Sequence, residues 1–221
     1  MAKNLSNDQI EPDPDFDNLD DIMLWMERCS AALFSKQGTL LSALAEGHLG
    51  EYPEFLGMTP DNIRAYFERA VHEIELAAIL YMVAYAEARI REDFLYRVGA
   101  ANKLGGDLLA PAMENLRKKY DKIWQIPLFE NGILDQWKVL IQRSDQDERL
   151  FNAAQYASRI GAFKNPLRLR HWIAHGRYWK PKGYSLSQLP PSQVEKIINQ
   201  GFDALKKTAI DLKLVPVWKD L

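Results

Sequence analysis

The chain has 221 residues, 47% of them hydrophobic and 26% charged, with a formal net charge of −2; such a composition suits a water-soluble domain with enough apolar surface to bury a core. A single cysteine, Cys29, excludes an intrachain disulfide and a multi-cysteine zinc site, and it is compatible with a reducing compartment. The longest uncharged apolar run, Leu76 to Ala86, is too short to span a bilayer, and MAKNLSNDQIEPDPDFD lacks the apolar segment of a secretory signal, so a cytoplasmic protein is expected.

In chain order, residues 1–18 lack periodicity, are acidic and carry two prolines, which predicts a mobile tail. From Leu19 the spacing of Ile22, Trp25, Met26, Cys29 and Leu33 fits one helical face, and Leu40, Leu41 and Leu44 continue it beyond Gly38. The pattern predicts a helical hairpin or a kinked helix. Residues 46–58, with three glycines and Pro53, read as a connection, which closes an N-terminal helical segment over 19–58.

Thr59-Pro60-Asp61 combines an N-cap, a proline at the first helical position and an acid in the first turn. The apolar steps from Ile63 through Phe67, Ala70, Ile74, Ala77 and Tyr81 to Tyr85 predict a helix reaching about Val98, buried on every side in its middle. Further helices are predicted over 107–120, from Ile133 through Ile141, and over 147–163. Residues 124–132 read as irregular and 180–191 as a loop. A last helix is expected to start at Ser192, with Glu195 as the partner of a capping box. No stretch alternates with period two, so the fold class is all-α, and residues 59–221 form the main helical domain.

The chemistry is sought in Asn165 to Trp179, NPLRLRHWIAHGRYW. Asn165 and Pro166 read as a helix start and Gly176 as a stop. A short helix from about Pro166 to His175 then carries Arg168, Arg170, His171 and His175. From Arg149 to Val194 there are eight basic residues and no acid, whereas residues 1–21 hold seven acids against Lys3. A local positive field of this kind attracts phosphate even on a nearly neutral protein; the plainer reading is a solvated face balanced by acids of other helices.

Arg170-His171-Trp172-Ile173-Ala174-His175 resembles the R-x4-H signature, with a polar residue directly after the arginine, of the HEPN superfamily of all-helical proteins. The resemblance implies a metal-independent ribonuclease acting in a toxin or phage-defence role, without cofactor or metal. It implies transphosphorylation of RNA, in which the 2′-oxygen attacks the adjacent phosphorus. His175 then suits general acid–base work, Arg170 offers a fixed planar fork to the phosphate, and His171 orients the site or supplies a second proton-transfer group. Arg168 and Arg177 are candidate contacts to the RNA backbone, and Tyr178 or Trp179 a stacking surface.

Five positions at 100° each set Arg170 and His175 about 140° apart on an ideal helix. One copy therefore does not readily aim both groups at one substrate, and an isologous dimer removes the difficulty. The resemblance likewise implies a homodimer with composite sites, and a possible antitoxin or regulatory partner. The chain departs from the R-x4-H-x-Y form, having Arg177 where that tyrosine stands and Tyr178 one residue later.

Plainer roles stand beside these. His175 can cap a helix end, Arg170 can bridge to a carboxylate of another helix, and Trp172 and Ile173 are packing residues. His171 and His175 also have the spacing of two helix-borne zinc ligands, but the glutamate of H-E-x-x-H is absent. A non-catalytic nucleotide- or protein-binding module is the other alternative. No role falls to His48 or His72, and Cys29 reads as a small buried side chain.

Overall fold

In the computed structural model, which describes residues 16–100, 107–146, 150, 152–174 and 189–214, all regular structure among the described residues is helical. The helices are α1 (Leu19–Ala45), α2 (Pro60–Ala100), α3 (Ala110–Arg117), α4 (Ile133–Gln146), α5 (Ala153–Ala162), α6 (Lys164–Ala174) and α7 (Pro191–Asp211), with short 3-10 turns between some of them. Among the described residues no helix is long and apolar enough to cross a membrane. The expected tail falls largely in residues 1–15, outside the described residues.

α2 is the axis of the molecule. Its start follows the local chemistry: the Thr59 hydroxyl accepts from the Asn62 amide at 3.2 Å, satisfying one of the donors that a helix leaves open at its N-terminus. α1 runs beside it as one helix, capped by Asn18 accepting from the Asp21 amide at 2.9 Å. Gly38, read from sequence as a break, lies within α1 with nothing near the place of its missing side chain. An exposed glycine costs a helix only about 1 kcal/mol, less than the packing of Leu33, Leu40, Leu41 and Leu44 on α2 restores.

The apolar side chains form two groups. The larger joins Leu19 and Ile22 of α1 to Ala78 through Phe94 of α2 and to α3, α4, α5, α6 and α7. The smaller sits at the other end of the α1–α2 pair and holds Leu40, Leu49, Phe55, Ile63 and Phe67. α7 meets the turn between α5 and α6 closely: a Cβ at Gly201 would lie 2.2 Å from Cε2 of Phe163, so only glycine admits that ring.

Among the described residues three charged side chains, Asp93, Arg97 and Asp107, are buried. Arg97 donates from Nε to both carboxylate oxygens of Asp93 at 3.0 Å and from a terminal nitrogen to Asp107. Trp137 also hydrogen-bonds Asp93, and the guanidinium stacks 4.8 Å from the Trp137 ring. The other oxygen of Asp107 accepts from the amides of Leu109 and Ala110, which caps α3. Residues 107–109, expected as helix, are instead the cap that precedes it. Burial pushes the Asp93 carboxyl above its ordinary range, with the charge of Asp107 adding to the push and Arg97 opposing it.

Other boundaries also differ from the sequence reading. α5 starts only at Ala153, after Asn152 in the left-handed region at φ 74°. α6 starts two residues before Pro166, so Asn165 lies inside its first turn rather than capping it. α7 starts at Pro191 with Pro190 before it and no side-chain cap, so Ser192 is a first-turn residue and the capping box is not formed. Cys29 is half-buried.

Candidate functional site

α6 is anchored by Pro166, Leu169 and Trp172, which are buried on one side of the helix, with Leu167 and Ile173 half-buried against the same core. This spacing leaves Arg168 and His171 on the outward side, both exposed. They are three residues apart and therefore neighbours on the helix surface.

Arg170 lies between the buried and outward sides, its side chain 40% exposed, and its guanidinium stands 4.0 Å from a carboxylate oxygen of Glu87 on α2. That distance is long and the pair is partly in water, so it contributes at most about 1 kcal/mol. The contact is the bridge to another helix that the plainer sequence reading anticipated, and a carboxylate beside Arg170 competes with a phosphate for the same fork. Arg170 and His171, adjacent in sequence, point about 100° apart. The described residues thus bring Arg168 and His171 to one surface and hold Arg170 on the neighbouring edge against α2.

His175, Arg177, Tyr178 and Trp179 lie outside the described residues. The basic segment around α6 is partly balanced: Arg159 of α5 pairs with Asp203 of α7 at 3.0 Å, and the same carboxylate takes Lys207 at 3.0 Å. Lys164, at the start of α6, stands 4.9 Å over the Phe129 ring. Among the described residues no three histidine, cysteine, aspartate or glutamate side chains gather closely enough to hold a metal ion. A recess of about 230 Å³ lies between α3 and α4, walled in part by Leu108, Leu116, Lys119, Val139 and Arg143, and no residue of α6 lines it.

Sequence reasoning missed Glu87 as the partner of Arg170, because nothing in the periodicity of α2 says which of its charged residues meets α6. It also missed the Asp93–Arg97–Asp107 network. The i and i+4 spacing of Asp93 and Arg97 is that of an ordinary surface pair, although the apolar residues around them carried a hint of burial.

The architecture and this helix together define an all-helical protein presenting a short basic helix at its surface. Compared with models of known protein families, with curated proteins and with solved structures, the chain matches none of them.

Proposed function

We propose that this protein is a metal-independent endoribonuclease of the HEPN type, working as a homodimer in the cytoplasm in a toxin or defence role. The observation that carries the reading is the division of labour along α6. Trp172 is buried and Ile173 half-buried, while Arg168, Arg170 and His171 sit where solvent and a phosphate can reach them.

In the reaction the 2′-hydroxyl of RNA gives its proton to a base as its oxygen bonds to phosphorus. The bond from phosphorus to the 5′-oxygen breaks, that oxygen takes a proton from an acid, and a 2′,3′-cyclic phosphate remains. Arg170 neutralises charge growing on the phosphoryl oxygens, and His175 with His171 moves the protons. Arg168, Arg177 and Tyr178 hold the strand.

The test is cleavage of a labelled single-stranded RNA by purified wild type, Arg170→Ala and His175→Ala in the presence of a chelator. Cleavage that survives chelation, ends in a cyclic phosphate and drops by about a hundredfold or more in each variant supports the reading. Cleavage equal in all three refutes it. The contact between Arg170 and Glu87 favours a second reading, a non-catalytic nucleotide- or protein-binding module. RNA binding without any cleavage, weakened by Arg168→Ala, marks that case.

A further inference from the structure

The connection from α3 to α4 carries a tryptophan that the apolar core does not use. Trp124 is 70% exposed and sits in the middle of a 3-10 turn over Ile123–Gln125. A lone exposed apolar side chain is ordinary on a protein surface, but the turn under this one is held from α2. Arg91 donates to the carbonyls of Ile123 and Ile126, the residues that bracket Trp124 and Gln125, at 2.9 and 3.0 Å. Ile126 is buried and anchors the exit of the turn, and at its entry the Lys122 amide donates to the Gln125 side chain at 3.3 Å. The indole therefore stands on a backbone fixed before any ligand arrives, which lowers the ordering cost of a contact.

The chain around it is basic. Residues 115–125 hold Arg117, Lys118, Lys119 and Lys122 against one acid, Asp121. Two of the four cations are engaged: Arg117 donates to the Tyr120 carbonyl and Lys118 lies 3.7 Å from Glu114. Lys122 stands over the Trp124 ring, 5.1 Å from its centre, which leaves the other face for a planar group with a charge close by. Lys119 and Arg143 are exposed, and both line the recess between α3 and α4, whose described walls contain no acid. Lys119 is separated from Trp124 by at most about 18 Å of chain.

We infer that Trp124 with Lys122, Lys119 and Arg143 forms a platform for single-stranded nucleic acid, separate from α6. A base stacks on the indole while the cations take the adjoining phosphates. The mode is tolerant of sequence, since every base has a face to stack and the cations meet only the backbone. A lipid surface fits less well: from residue 110 to 132 no other large apolar side chain is exposed, so little is offered for insertion into a bilayer. A phosphopeptide reader clusters arginines on one phosphate, whereas here two lysines and one arginine from different elements are spread as a chain of phosphates requires. The platform does not depend on cleavage at α6, and it gives a strand a second hold on the protein.

The test is fluorescence anisotropy of a labelled oligo(dT) of about 12 nucleotides, which lacks the 2′-hydroxyl and stays intact whatever α6 does. Wild type, Trp124→Ala, Trp124→Phe and Lys119→Ala are titrated at several salt concentrations, with melting temperatures checked in parallel. Binding that falls about 5- to 150-fold in Trp124→Ala, as the loss of one stacked base predicts, and is largely kept in Trp124→Phe supports the platform. Lys119→Ala should reduce the salt slope by about 0.7. No binding, or binding indifferent to Trp124→Ala, overturns the inference. So does Trp124-dependent binding to vesicles of phosphatidylserine and phosphatidylcholine that exceeds binding to oligo(dT), which marks a membrane surface instead. RNA cleavage by the same proteins and by Arg170→Ala keeps the two claims apart. Trp124-dependent binding of oligo(dT) with no cleavage that requires Arg170 upholds the platform and removes the ribonuclease reading, while cleavage through Arg170 with binding indifferent to Trp124 does the reverse.

Discussion

Replacing Arg97 by methionine strands two buried carboxylates without their cation. The arginine side chain is 0% exposed and its two carboxylate partners are 1% and 0% exposed. Methionine keeps much of the stem's volume but leaves Asp93 and Asp107 facing each other without their shared cation. Breaking a buried ion pair on one side costs about 3–5 kcal/mol, out of a total stability of about 5–15 kcal/mol. For a chain of this length that corresponds to a fall in melting temperature of roughly 6–20 °C.

The pH dependence fixes the cause. Burial raises the Asp93 carboxyl in the folded state, ahead of the opposing pull of Arg97. A raised carboxyl contributes stability that is full below its unfolded value and lost as pH rises through its folded value. Removing Arg97 raises it further, so the variant loses more stability at about pH 7 than at about pH 5. Asp93→Asn keeps an acceptor for the guanidinium and leaves Arg97 balanced by Asp107, so it costs less than Arg97→Met. Urea unfolding at the two pH values measures all of this. A loss below about 1 kcal/mol for Arg97→Met, the scale of an exposed pair, or a loss independent of pH, would refute the reasoning.

Two further changes probe particular contacts. Gly201→Ala drives a Cβ into Phe163 and should cost about 1–3 kcal/mol; pairing it with Phe163→Leu should cost less than the sum of the two single changes, and denaturant midpoints read the coupling. Glu87→Gln removes the carboxylate that competes for Arg170, so binding of a short single-stranded RNA should tighten by up to about fivefold, the equivalent of about 1 kcal/mol. Unchanged or weaker binding in a filter or anisotropy assay counts against a phosphate-binding role for Arg170.

The helical layout was legible where local chemistry and tertiary packing agree. α2 announced its start through Thr59 and Pro60, set within the helix itself, but its middle is not buried on every side as its apolar run implied, since Tyr81 and Ala84 are exposed. Boundaries set by contacts from elsewhere were not legible. Asp107 reads as a first-turn acid, but its carboxylate is taken by Arg97 from α2 and by two amides, so it stands before α3 as a cap. At α7 two successive prolines decided the start: Pro191 fixes the first helical residue and the Pro190 carbonyl accepts from Gln193 and Val194, leaving Ser192 no capping role. At the candidate site, the sequence indicated which residues of α6 pack and which face outward. It carried no sign of Glu87, because a partner on another helix is fixed only when the two helices dock.

The two separate apolar groups along α2 have a mechanical consequence. The far end of the α1–α2 pair is held by its own small set of side chains, Leu40, Leu49, Phe55, Ile63 and Phe67, and shares none of them with the body. Cooperative units of this kind open at their own free energy, so the tip can fray and re-form while Met82, Ile90 and Trp137 stay locked. The outer part of the hairpin can thus be reshaped without loosening α6, which carries Arg170, or the part of α2 that carries Glu87.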